Sequence, residues 1–331
     1  MMQRYRIWFS VSLMNNVSLT LVAKIFRAVL IWVACFSISV AANDGAPQQH
    51  DMEIAADDGR VVQTRLFAPA NGCDVCALVI FSHGAFSTNG RYDRLLLAWA
   101  RAGFVVAAPL HVDSEAHPDR EDYAPDAALP TRVEDYRAVR DALTQAGRLQ
   151  AISASLSGEV IAAGHSFGAL IAQIAGGANP PSLARETLDA LADRPPAAVV
   201  AISPPPAMDG YIELSHWAQI TVPMLVVTGT ADLIPGFVTD WRQHLLSYEA
   251  ASTEQAYALI FAEVDHYFNG AFGRPTPEGE RMASVIGDLN RSVVGFIHAV
   301  QDDVSPADSA RWQALPDTVR TLANGQMIGD E

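Results

Sequence analysis

Lysine is almost missing from this chain: Lys24 is the only one among 331 residues. A Schiff-base amine, a Walker-type phosphate loop and a Ser–Lys dyad all need that side chain, so losing the N-terminal segment would exclude all three. Cysteine is scarce as well, at three residues. Cys73 and Cys76 by themselves make a poor zinc site. Positive charge is also in short supply, with 22 Lys and Arg against 37 Asp and Glu and a formal net charge of −15. Such a surface repels phosphate backbones and argues against nucleic acid as a partner. The apolar run Ala28–Val40 falls short of the ~20 residues that a spanning helix needs.

That run belongs to a segment with the marks of an export signal. Residues 1–42 hold Arg4, Arg6, Lys24 and Arg27 and no acid. Val40-Ala41-Ala42 supplies small residues for cleavage, and Met14 offers an alternative start. The competing reading is an uncleaved anchor. A lipid attachment at Cys35 is disfavoured by Trp32, which stands where an aliphatic residue is expected. Cleavage takes the formal charge from −15 to −19 and places residues 43–331 in a periplasm or outside the cell, with no stable membrane span. A single α/β domain of that size is ordinary. In an oxidising compartment Cys73 and Cys76 can close a small disulfide; two free thiols, or a redox or metal motif, are the alternatives.

What the chain does have is organised around Val160–Ala175. An apolar run with the length of a buried parallel strand leads into Gly164-His165-Ser166-Phe167-Gly168 and continues as an apolar helical pattern. Strand, Gly-x-Ser-x-Gly and helix in that order form a nucleophile elbow, a sharp turn that lifts the serine hydroxyl above the sheet edge. The flanking glycines are needed where neighbouring backbone leaves no room for a Cβ. A serine hydroxyl is a weak nucleophile until a base removes its proton, so a base and an orienting acid must follow.

The surrounding pattern alternates strands and helices. Met52–Ala55 and Val61–Phe67 flank Asp57-Asp58-Gly59, a hairpin signal. Ala77–Phe81 reads as a buried strand, and the small-residue loop Ser82–Ser87 after it can bring a second backbone N–H beside the serine. Ala85 and Phe167 are therefore the expected oxyanion donors. A helix over 92–102, a strand over 104–108 and a helix from a Thr131–Glu134 capping box to about residue 146 are predicted next. Between the last two lies Pro109–Pro130, dense in His and acids. That density suggests a metal, but the spacing matches no ligand motif, and a solvated acidic loop bordering the cleft is the plainer reading. A surface helix over 182–192 and a strand over 197–202 precede the insertion Ala207–Trp217, whose apolar residues are core or a pocket wall. Asp232 follows the strand starting at Met224, on the side where the elbow points, with Asp209 in reserve. Of the histidines after Asp232, His244 and His298 lie in helical patterns and read as surface or packing residues. His266 alone sits on a loop after a strand, the predicted last strand Tyr257–Phe261. Residues 278–300 read as helix, and the tail from Ser305 as loosely packed.

The order Ser166, Asp232, His266, together with Ser82-His83-Gly84, Gly229-Thr230-Ala231-Asp232 and Asp265-His266, resembles the α/β-hydrolase superfamily over most of residues 51–301. The resemblance implies a mostly parallel central sheet with helices on both faces. Within the superfamily the chain looks like dienelactone-hydrolase-like and platelet-activating-factor-acetylhydrolase-like serine esterases. Dienelactone hydrolase proper carries cysteine at the elbow, so Ser166 favours a serine esterase. The resemblance implies a Ser-His-Asp triad acting on a small-molecule ester, with no cofactor and no metal. Phe86, His165, Trp217 and Tyr267 are candidates for substrate binding. A lipase, a polyester hydrolase, or an amidase or peptidase on the same triad are the competing enzymes. A hydrolase-fold binding protein would be expected to lack a triad member. If His266 is the base, activity rises with pH through the ordinary imidazole range, near ~6.5. A rate–pH profile that stays flat from about pH 5 to about pH 9 would contradict that role.

Overall fold

The computed structural model describes residues 45–272, 280–323 and 326. The expected export signal at residues 1–42 lies outside the described residues. Gly45–Glu331 forms one compact unit.

Nine strands make one sheet: β1 (Gln48–Ala55), β2 (Val61–Ala68), β3 (Cys73–Ser82), β4 (Val105–Pro109), β5 (Ala154–His165), β6 (Ala198–Ile202), β7 (Met224–Ala231), β8 (Ala256–Asp265) and β9 (Val319–Ala323), in the spatial order β1-β2-β4-β3-β5-β6-β7-β8-β9. The six strands from β4 to β8 pair in parallel, while β1–β2, β2–β4 and β8–β9 pair antiparallel. The sequence pattern explains the split. Val105–Pro109 and Ala198–Ile202 are buried throughout, as strands covered on both faces must be. In β1 and β2 half-exposed or exposed residues alternate with more buried ones, the pattern of a sheet edge with one wet face. Asp57-Asp58-Gly59 lies in the β1–β2 hairpin, with Ala55 opposite Val61.

Helices cover both faces: α1 (Asp93–Arg101), α2 (Ala128–Leu143), α3 (Phe167–Ala175), α4 (Arg185–Ala192), α5 (Leu214–Trp217), α6 (Leu246–Ala250), α7 (Glu280–Gln301) and α8 (Ala310–Gln313). Strand side chains alternate between faces, and this divides the core in two. Leu78, Ile80, Val199 and Ala201 meet Val133, Val139 and Leu170 from α2 and α3 on one side. Val79, Phe81, Val200 and Ile202 meet Leu95, Trp99, Val293 and Phe296 from α1 and α7 on the other. Among the described residues no helix is long and apolar enough to cross a membrane.

Two local expectations are corrected, and the alternatives left open at Cys73 and Cys76 are resolved. Helix α2 starts at Ala128, upstream of the predicted capping box, and ends at Leu143 rather than near residue 146. Pro130 is tolerated because first-turn N–H groups have no intrahelical acceptor anyway. Thr131 is therefore interior, and its hydroxyl donates back to the Ala127 carbonyl at 2.7 Å. Cys73 and Cys76 are paired with each other, their Cα atoms 6.1 Å apart, on an irregular stretch of β3. The segment from Ser305 is not loosely packed. It supplies α8 and the edge strand β9, whose Val319 and Leu322 are buried in the cores on opposite faces of the sheet. Trp312 anchors it, buried against Tyr257 with ring centroids 5.7 Å apart and its indole N–H donating to the Ser292 carbonyl at 2.9 Å. Trp312→Ala is expected to lower unfolding stability by about 3 kcal/mol or more, measured by urea denaturation. A loss below about 0.5 kcal/mol would show that this segment is not part of the core.

Candidate active site

The turn from β5 into α3 is held in a costly shape. Ser166 has φ 54° and ψ −122°, a region that L-residues avoid at a cost of order 1–3 kcal/mol. The surroundings fix it there: the Ser166 N–H donates to the Ile202 carbonyl at 2.8 Å, and its carbonyl accepts from the Ala169 N–H at 2.9 Å. The flanking glycines are obligatory. A Cβ on Gly164 would lie 2.1 Å from the Gly168 carbonyl oxygen, and one on Gly168 would lie 1.9 Å from the Ser82 carbonyl oxygen.

Asp232 follows β7 and His266 follows β8, so two neighbouring parallel strands bring them together. His266 Nδ1–H donates to Asp232 Oδ1 at 2.7 Å. The carboxylate is fully buried, and its other oxygen accepts from the hydroxyls of Ser203 at 2.5 Å and Thr228 at 2.9 Å. Burial alone would raise the Asp232 pKa. Hydrogen bonds from His244 and His266 outweigh it and hold the carboxyl well below the usual range. His244 is the residue that the helical pattern concealed. Far from being a surface group, it is buried, with Nε2 2.9 Å from Asp232 Oδ1 and Nδ1 2.5 Å from the Pro204 carbonyl oxygen. Burial pushes its pKa down, but Asp232 more than compensates and raises it.

The loop after β3 faces Ser166 from the other side. Its Gly84 N–H donates to the Tyr92 hydroxyl at 3.1 Å, Phe86 N–H to Asp113 Oδ2 at 3.2 Å and Ser87 N–H to the Gly84 carbonyl at 3.2 Å. Among the described residues, no acceptor within the protein pairs with the remaining amide of this loop, Ala85, or with Phe167 at the first turn of α3. A residue absent from the sequence reading clamps the loop: Arg132, completely buried. It donates to the His83 carbonyl at 2.6 Å, the Gly84 carbonyl at 3.1 Å and Asp113 Oδ1 at 2.7 Å. Its guanidinium also lies 4.7 Å from the Phe167 ring centroid. Its place on the helix face of Leu129, Val133 and Tyr136 is a signal that could have found it, since a buried guanidinium demands acceptors. Burial would raise the Asp113 pKa, but Arg132 more than offsets it and holds the carboxyl well below its ordinary value.

His165 joins the two halves. Its Nε2–H donates to the His266 carbonyl at 2.8 Å, and its Nδ1 accepts from the Tyr92 hydroxyl at 2.9 Å. Burial and the neighbouring His266 push its pKa down to about 3, so the ring is neutral. Burial likewise pushes the Tyr92 hydroxyl up to about 12, so it remains a donor.

Ser166, His266, Ala85 and Phe167 all line one cleft of about 550 Å³, walled by Phe86, Tyr92, Met208, Tyr211, Phe237 and Tyr267. Phe86 and Tyr267 thus stand at the cleft as anticipated. His165 contributes only its ring, since both nitrogens are committed. Trp217 is a correction: it is buried in the core, with its indole N–H donating to Gln173 Oε1 at 2.9 Å, and does not line the cleft. Its neighbours Met208 and Tyr211 do. The acid-rich loop is only partly the solvated one expected. Glu115 reaches the cleft, where it pairs with Arg91, but His111 is buried with Nδ1 2.8 Å from Asp135 Oδ2.

Asp232, His244 and His266 form, among the described residues, the cluster whose candidate ligand atoms lie within 4.8 Å of one another. The donor set does not suit a metal. Both His244 nitrogens are already engaged with oxygens, Nδ1 with the Pro204 carbonyl and Nε2 with Asp232, so neither is open toward an ion.

The sheet order, the strained elbow and the cleft at the ends of the parallel strands define an α/β-hydrolase. The chain belongs to the alpha/beta hydrolase family, whose model matches residues 79–326, and is a hydrolase of that family. No curated protein sequence matches it. Its fold is similar to that of a dienelactone hydrolase of Anabaena variabilis, with 17% identity, TM-score 0.51 and coverage of 74% of this chain and 96% of the other. It is also similar to an esterase of Pyrobaculum calidifontis (18% identity, TM-score 0.52, 87% and 96% covered). An esterase of Pyrococcus furiosus is a third likeness (16% identity, TM-score 0.51, 76% and 92% covered).

Proposed function

We propose that this hydrolase cleaves carboxylic esters by acyl transfer to Ser166. The observation that carries the reading is the single cleft shared by a serine in elbow geometry, a histidine bonded to a buried carboxylate, and two amides without internal acceptors. Asp232 engages Nδ1 of His266, so Nε2 is the nitrogen left to take the Ser166 proton. The serine oxygen bonds to the ester carbonyl carbon, and the Ala85 and Phe167 amides receive the negative oxygen. His266 then gives the proton to the departing alcohol, and water repeats the sequence on the acyl-enzyme. The largely apolar walls suit an ester with hydrocarbon or aromatic groups. Phe86 and Phe237 line the cleft and are 62% and 44% exposed. That apolar rim favours, as the second reading, a substrate presented at a lipid or polyester surface.

Ser166→Ala is expected to lower kcat by at least ~10⁴ on any ester that the wild type turns over, while a panel of graded acyl length and matched amides sets the preference. Full turnover by the alanine variant would remove Ser166 from the mechanism. We also infer export, on the strength of the basic, acid-free residues 1–42. Expression in a Gram-negative host is expected to yield a periplasmic protein whose N-terminus, by Edman sequencing, begins near residue 43. A cytoplasmic product that retains residues 1–42 would contradict the reading.

A further inference from the structure

Two histidines, not one, share the carboxylate of Asp232. His244 Nδ1 is 2.5 Å from the Pro204 carbonyl oxygen, and Nε2 is 2.9 Å from Asp232 Oδ1 and 3.2 Å from the Asp232 carbonyl oxygen. Every one of these neighbours is an acceptor. A neutral imidazole has one N–H and one lone pair, so either neutral tautomer would aim a lone pair at an oxygen. With Nδ1 unprotonated it would face a carbonyl, and with Nε2 unprotonated it would face a carboxylate. Only the doubly protonated ring satisfies both contacts. The carboxylate's own accounting agrees: Oδ1 accepts from His266 and His244, and Oδ2 from Ser203 and Thr228. With four donors around it, Asp232 has no need of its own proton and stays ionised.

We propose that His244 is a fixed imidazolium that cancels the charge of Asp232 and thereby keeps His266 available as a base in mildly acidic medium. The inference rests on the proposed role of His266. In a bare His-Asp pair the carboxylate favours a protonated imidazole. Here the His244 ring stacks near that of His266, with centroids 5.8 Å apart and 20° between planes. A cation at that distance opposes protonation of its neighbour. The other groups around the pair do not reverse this. His165, whose centroid is 4.8 Å from that of His266, is neutral. On the segment of His244 itself, Asp240 and Arg242 are half exposed and face each other at 3.4 Å. The same cation has a second effect. When His266 has taken the Ser166 proton it stands beside a like charge, which makes it a stronger acid toward the departing alcohol. His244 touches no reacting atom, so it is a positioning residue that acts through Asp232.

The test separates charge from hydrogen bonding. His244→Gln keeps an N–H donor toward Asp232 and removes the cation. The acidic limb of its kcat/KM–pH profile, normalised to its own plateau, is expected to move up by about one pH unit, a tenfold loss on the acid side relative to wild type. A merely structural role would lower the plateau without moving the limb, and an unmoved limb overturns the proposal. A second measurement is independent of catalysis and of that variant's folding. ¹⁵N spectra of histidine-labelled wild type, with His244 assigned through its own backbone, are expected to show both ring nitrogens protonated at pH 8. A neutral ring there overturns the proposal. An imidazolium in an enzyme inert toward every ester would instead place the fault in the proposed reaction.

Discussion

A carboxylate sealed from solvent costs several kcal/mol unless donors surround it, and Asp232 is such a group. Its position at the end of β7 fixes much of the neighbouring chain. Ser203 at the end of β6, Thr228 within β7, His244 beyond it and His266 after β8 all turn a donor toward it. Three adjacent parallel strands are thereby pinned at the one edge where the elbow also emerges. Removing any of these donors would leave unsatisfied charge rather than a mere gap. The arrangement serves two ends at once: it compensates a buried anion and it orients the His266 ring.

The opposite side of the cleft is built on the same principle with the sign reversed. Arg132 is a buried cation, and carbonyls of the loop after β3 together with Asp113 satisfy it. Asp113 in turn accepts from the Phe86 amide. The flanking amides are thus engaged, and Ala85 is left facing the cleft without an acceptor. Ser166 and Phe86, which both line the cleft, are both at positive φ.

Much of this was legible in the sequence because it depends on local pattern. Gly164 and Gly168 around Ser166 announce a turn too tight for side chains, and the apolar runs at 77–81, 197–202 and 224–227 announce strands buried on both faces. Chain order singled out Asp232 and His266. What stayed hidden depends on contacts between distant segments. His244 looks like one more helical histidine until Pro204 and Asp232 are set against its two nitrogens. Arg132 lies inside a pattern misread as a capping box, and its partners are 19 to 49 residues away in sequence. By sequence alone Trp217 suits the cleft, because aromatic residues in an insertion fit a pocket wall. Its indole N–H had a buried acceptor in Gln173, and that decided its place.

The relay from the Gly84 amide through Tyr92 and His165 to the His266 carbonyl welds the two working loops into a single rigid piece. Neither can be remodelled for a new substrate without disturbing the other. The far wall carries no such restriction. Met208 and Tyr211 belong to one small loop closed by a Met208–Ile212 bridge, and Ile234 and Phe237 to another closed by an Ile234–Val238 bridge. Each loop is closed by its own backbone and stands apart from the polar scaffold. Divergence in what the cleft admits therefore has its freest ground in these two short loops, where residues can be exchanged while the frame around Ser166 and His266 stays intact.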